Sequence, residues 1–171
     1  MIRSVLLVIG LSLGLAGCVE TQPPAQTLPS TVVPGAHPVD SASAMSLISD
    51  ICVDTLPRFA KAPAVLAKMP FQQNPQTGTY YHRSLDLSIK LHTDKGRKIC
   101  SMVFVSKDDP AQLALLIPIA ASSQGGGNKI MVGPDMSQSA VALAGGARLT
   151  FQPIGQNAGK KYYNITVTAA K

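Results

Sequence analysis

Apolar and polar residues change their spacing repeatedly along this chain, and each change predicts an element. From Ser41 onward Ala44, Leu47, Ile48, Ile51, Cys52, Thr55 and Leu56 recur at three- and four-residue steps, with Ser46, Ser49, Asp50 and Asp54 between them. That spacing predicts one helix, capped by Ser41 or Ser43 and ended by Pro57, with Cys52 on its buried stripe. A second short helix is expected from about Lys61 to Met69, with Pro63 in its first turn and Val65, Leu66 and Met69 inward. Pro70 to Gly78 reads as loop, and Tyr80, Tyr81 and His82 as a short strand. The period then drops to two, as Leu85, Leu87, Ile89 and Leu91 alternate with Asp86, Ser88, Lys90 and His92. This predicts a half-buried strand.

Thr93-Asp94-Lys95-Gly96 supplies turn chemistry, and Arg97–Ser106 is apolar on both faces, as a central strand would be. Asp108-Asp109-Pro110 is a helix start, with an acid at the cap and proline at the first position. The helix should run to about Ala121 with a kink at Pro118. Ser122 to Asn128 is a flexible loop. Three strands are expected at Ser139–Ala144, Arg148–Ile154 and Lys161–Ala169, separated by glycine-rich turns. The expected fold class is therefore α+β: an antiparallel sheet of about five to six strands, two or three helices packed on one face, and one disulfide.

The N-terminal pattern is of another kind. A short basic segment, Met1 to Ser4, precedes an apolar run from Val5 to Leu15. A membrane-spanning helix needs ~20 apolar residues, so this run suits an export signal. It ends in Leu15-Ala16-Gly17-Cys18, which resembles the lipobox of bacterial lipoproteins. The resemblance implies cleavage before Cys18 and a lipidated Cys18 as the membrane anchor, on the periplasmic side of the envelope. Val19, where an aspartate would favour the inner membrane, leans the expectation toward the outer one. Residues 1–17 are then the signal, 18–40 a lipidated proline-rich tether containing Pro23, Pro24, Pro29, Pro34 and Pro38, and 41–171 one globular domain. His37 falls within the tether and is expected to be solvated.

Assigning Cys18 to lipid changes the cysteine arithmetic. Of three cysteines, Cys52 and Cys100 remain as a pair in an oxidising compartment, where pairs become disulfides. The predicted bond clamps the first helix to the sheet. The formal charge of the chain is +6, and loss of Arg3 with the signal leaves an excess of basic residues. Such a surface favours anionic surroundings. The basic residues are scattered, however, and there is no Trp, so nothing points to nucleic acid.

Candidate chemistry is thin. His82, His92 and Asp94 are the one close set of metal-ligating residue types, without a supporting ligand spacing. No G-x-S-x-G accompanies the histidines, and Gly125-Gly126-Gly127-Asn128-Lys129 lacks the remainder of a phosphate loop. Asp108-Asp109 is better read as a cap than as a catalytic pair. No catalytic residue, metal or cofactor is assigned. Tyr80-Tyr81-His82-Arg83 is the one patch of binding-prone residue types. The expected function is a non-enzymatic binding or scaffolding module of the envelope, with another envelope protein as partner. The alternative is a carrier or sensor of a small apolar ligand, which would need a cavity above ~300 Å³.

Overall fold

The computed structural model describes residues 35–171. The expected signal, Cys18 and most of the tether lie outside the described residues. Helix α1 spans Ser41–Ile48 and continues as a π turn over Ser49–Val53. Helix α2 is Ala62–Leu66, and α3 is Pro110–Gly125. The strands are β1 Phe71–Gln73, β2 Tyr80–His82, β3 Leu87–Asp94, β4 Arg97–Ser106, β5 Lys129–Val132, β6 Ser139–Ala142, β7 Arg148–Asn157 and β8 Lys160–Thr168. They form one eight-stranded sheet in the order β1-β2-β3-β4-β8-β7-β6-β5, with every neighbouring pair antiparallel. The α+β class and the disulfide are as expected; the strand count is corrected upward. The additions are β1, in a segment read as loop, and β5, which follows the glycine loop directly.

Two local details differ from the expected pattern for physical reasons. The cap of α1 is Asp40, not a serine: its carboxylate accepts from both the amide and the hydroxyl of Ser43 at 2.8 Å. Those bonds hold its pKa below the ordinary 3.8, and a negative charge at a helix N-terminus is favoured by the helix dipole as well. Asp108 adds a second acceptor, taking the Ser41 amide at 2.7 Å. In the π turn, the Asp54 amide bonds to the Ser49 carbonyl five residues back. One extra residue per turn rotates the apolar stripe, so Ser49, expected at the surface, is buried beside Ile51, Cys52 and Val53.

The core lies between the helices and one face of the sheet. Leu87 and Ile89 from β3, Cys100, Met102 and Phe104 from β4, Tyr163, Ile165 and Val167 from β8, and Leu149 and Phe151 from β7 are all buried there. Ala44, Ile48, Ile51, Leu66, Leu113, Ile117 and Ala121 come from the helical side. Phe104, Tyr163 and Phe151 make a row across three strands, with ring centroids 5.6 Å apart at each step. Cys52 and Cys100 form the disulfide, their Cα atoms 5.7 Å apart. It ties the π turn to β4, the central strand.

The strand order also shows a repeated plan. Helices followed by a four-strand meander, β1 to β4, are succeeded by a helix and a second meander, β5 to β8. The halves meet antiparallel at the β4–β8 seam, where Met102 faces Ile165. About that pair the seam is pseudo-symmetric: Ile99–Thr168 at one end answers Val105–Tyr162 at the other. The β3–β4 and β7–β8 turns match too, each with two successive left-handed residues, Lys95-Gly96 and Ala158-Gly159. On the helical side of the sheet α1 packs against α3, and α3 contacts β5, β6 and β7.

The packed domain begins before the expected residue 41. His37 is exposed, as expected, but its amide donates to the Ser84 carbonyl and its carbonyl accepts from Asp86. The Val39 amide donates to the Val105 carbonyl at 2.7 Å, and the Val39 side chain is buried. Ser106 Oγ donates to the Val39 carbonyl at 2.6 Å. Residues 37–39, expected to belong to the tether, are therefore stitched to the middle of the sheet.

Candidate functional site

Tyr80–Arg83 occupies β2 and the residue after it, one strand in from the β1 edge. Alternation divides the four residues. Tyr80 packs, half-buried, against the core. His82 is buried, with its ring edge-on to Phe71 at 5.0 Å. Its Nδ1 accepts from the Ser84 and Leu85 amides at 3.2 and 2.9 Å, which places the ring proton on Nε2. Only Tyr81 and Arg83 open to the other face, so the patch reduces to these two side chains. His82 shapes the chain turn into β3.

Burial holds the His82 pKa below the ordinary 6.5. The sign of the linkage follows: in the unfolded chain the ring protonates near 6.5, while in the folded chain it stays neutral. The stability this ring contributes is therefore present above 6.5 and is lost as pH falls through the folded-state value. Urea midpoints recorded between about pH 7.5 and 5 should decline, and His82→Gln should flatten that decline. An unchanged decline in the variant would assign it to other groups.

Tyr81 and Arg83 line an open hollow of about 360 Å³ with Gln72, Gln73 and Gln76 of the β1–β2 hairpin. A second hollow, about 300 Å³, meets it at Tyr81 and runs over the helix-free face past Ser88, Lys90, His92 and Ser101. This face is polar along its central row, where Lys90, Ser101, Thr166 and Thr150 stand in register across four strands. Ser101 Oγ donates to Asn164 Oδ1 at 2.9 Å. At one corner Asp86, 1% exposed, receives the Lys160 ammonium at 2.7 Å. That hydrogen bond and the charge of Asp86 raise the Lys160 pKa above its ordinary value.

The other candidates are dispersed. His92 and Asp94 are exposed on β3, away from the buried His82, and among the described residues no three His, Cys, Asp or Glu converge as a metal site. Asp109, not Asp108, caps α3, accepting from the Ala111 and Gln112 amides at 2.9 and 3.2 Å. In the glycine loop, Gly126 takes the left-handed conformation that terminates α3. A Cβ on Gly127 would lie 2.5 Å from the Ala142 carbonyl oxygen. Both glycines thus bring the chain tightly from α3 onto β5.

The surface that sequence reading missed is β5 itself. All four of its residues are exposed at the open edge of the sheet, among them Ile130, Met131 and Val132. The Gly133 amide donates to the Gln138 carbonyl at 2.8 Å, so that pair is hydrogen-bonded. By antiparallel alternation Met131–Ala140 and Lys129–Ala142 are too, and the backbone groups of Ile130 and Val132 point outward. Beside β5, α3 exposes Leu115 and Ile119. These two share a flank of the helix with Ser122, whose hydroxyl bonds to the Gly127 carbonyl just ahead of β5. The opposite edge, β1, is three residues long, exposes Gln72 and Gln73, and sits between Pro70 and Pro75. Short, polar, proline-flanked edges resist pairing; β5 is also short but is apolar at three of its four exposed positions. Among the described residues, no helix is long and apolar enough to cross a membrane. Comparison with protein-family models, curated proteins and solved structures finds no match for this chain.

Proposed function

We propose that this chain is a non-enzymatic binding module of the bacterial cell envelope that takes a partner strand along β5. A lipid on Cys18 would hold it to the membrane, the outer one in preference to the inner. The observation that carries the reading is the β5 edge: apolar, exposed, with the main-chain groups of Ile130 and Val132 directed outward and an apolar helix flank alongside. Strand addition needs both features, since main-chain bonds supply affinity and alternate side chains supply fit. Pairing with β6 and contact with α3 hold β5 in place as a template. The carrier reading has weaker support, because the hollows around Tyr81 are open to solvent rather than enclosed between sheet and helices.

A photo-cross-linking residue at position 131, activated in intact cells, tests the proposal. The expected result is one reproducible protein adduct. Ile130→Pro should abolish it, because proline removes an outward-facing donor while leaving the bonds to β6 intact. No adduct, or an adduct indifferent to Ile130→Pro, would exclude strand addition at this edge.

A further inference from the structure

We infer that the strand added at β5 is β5 of a second copy of this chain, paired antiparallel about Met131. The inference rests on the proposed use of this edge and names its occupant. Three observations converge on a copy rather than an unrelated strand.

The first is register. A two-fold axis perpendicular to a sheet leaves each side chain on its own face, so only residues on the same face can stand opposite one another. Ile130 and Val132 share the helical face, in register with Val141–Leu149 and Ser139–Phe151, and Met131 faces the other way. Centring the axis on Met131 sets Ile130 of each copy opposite Val132 of the other. These are the two residues whose N–H and C=O groups point outward, so each pair exchanges both of its bonds. Among antiparallel registers, the one centred on Met131 sets both outward-facing residues of β5 opposite each other within the strand.

The second is charge. Between Gly127 and Gln138 the charged residues are Lys129 at the start of β5 and Asp135 just past its end. Both are exposed. An antiparallel copy carries each Lys129 toward the Asp135 end of the other, twice over. A parallel strand of the same sequence would set like charges side by side. Hydrogen bonds from Ser137, to both oxygens of Asp135, hold that carboxyl below its ordinary pKa and keep it charged.

The third is the apolar helix flank. Within the chain α1 packs on α3 on the helical side of the sheet, and α3 reaches out to β5. Because α3 lies against β5, a β5–β5 pairing would bring the α3 helices of the two copies together on the helical side, burying Leu115 and Ile119, now 38% and 51% exposed. The sheet would continue through both molecules, with the short β1 edges at its two ends.

The test uses the full exported chain, solubilised from membranes, with single cysteines placed along β5. Met131→Cys should give a disulfide-linked dimer on a non-reducing gel, since residues at a non-hydrogen-bonded antiparallel pair have Cα atoms about 4.5 Å apart. Ile130→Cys alone should remain monomeric on that gel, because its own mate is displaced by two residues. Lys129→Glu should weaken association measured by sedimentation at least about tenfold, and Lys129→Glu combined with Asp135→Lys should restore it. A wild-type chain that sediments as a monomer at tens of micromolar would overturn the inference. So would equal cross-linking at 130 and 131. If the chain is monomeric but a residue at 131 still captures a different protein in cells, the binding-module reading survives and only its occupant is wrong.

Discussion

Replacing Cys52 and Cys100 together by alanine is expected to destabilise the domain by about 4 kcal/mol. The two residues are 48 apart in sequence, and the unfolded chain loses the closure of that loop when the bond is absent. Loop closure stabilises through the unfolded state, and for loops of this length the entropic model gives values of that order. Both sulfurs are fully buried, so the packing they leave adds to the loss. The consequence should also be local. The π turn carries Ile51 and Val53 into the core, and the disulfide is its covalent link to the sheet. Urea denaturation of the oxidised protein against the double variant checks the magnitude, and reduced wild-type protein should follow the variant. A difference below about 1 kcal/mol would mean that packing alone docks the π turn.

Phe151→Ala should cost about 3–5 kcal/mol, the range for truncating a buried aromatic residue. Phe151 is 1% exposed and stacks on Tyr163 with an interplanar angle of 17°. Tyr163 in turn meets Phe104. The row crosses the seam between the two meanders, so the cavity would open where the halves join, and rigid neighbours on both sides limit collapse. Gln152→Ala, one residue along the same strand and exposed, should change stability by no more than about 0.5 kcal/mol. Chemical denaturation of the pair separates the faces of β7. A loss below about 1.5 kcal/mol for Phe151→Ala would show that the seam does not depend on the aromatic row.

The β3–β4 hairpin is legible in the sequence because alternation over eight positions and a Lys-Gly turn agree with each other. The buried stripe of α1 is legible for the same kind of reason, with Ile51, Cys52 and Thr55 buried as expected and Ser49, just after Ile48, the exception. There the π turn adds a residue to the repeat, which no 3.6-residue period anticipates, and Ser49 goes inward. β1 and β5 are too short to show a period, and pairing partners create them: β2 for one, β6 for the other. The site suffers likewise. Tyr81 and Arg83 are recognisable as surface residues, but the burial of His82 depends on Phe71, which belongs to a strand read as loop. The β5 edge could have been suspected from Lys129-Ile130-Met131-Val132, an apolar run after a glycine loop. Its exposure follows only from the strand order.

Attachment of residues 37–39 to the sheet has a mechanical meaning. A pull arriving from the N-terminal side meets the His37–Ser84 and His37–Asp86 bonds first, then the Val39–Val105 and Val39–Ser106 bonds, and behind them the Ser41–Asp108 bond. The His37 partners lie just ahead of β3, and the partners of Val39 and Ser41 sit at the end of β4 or just beyond it, on the strand that the disulfide grips and that neighbours pair on both sides. Tension is therefore delivered to the best-braced element of the fold and shared across it. The β5 edge, four strands away in the sheet, bears none of that load directly and can keep its shape under such a pull.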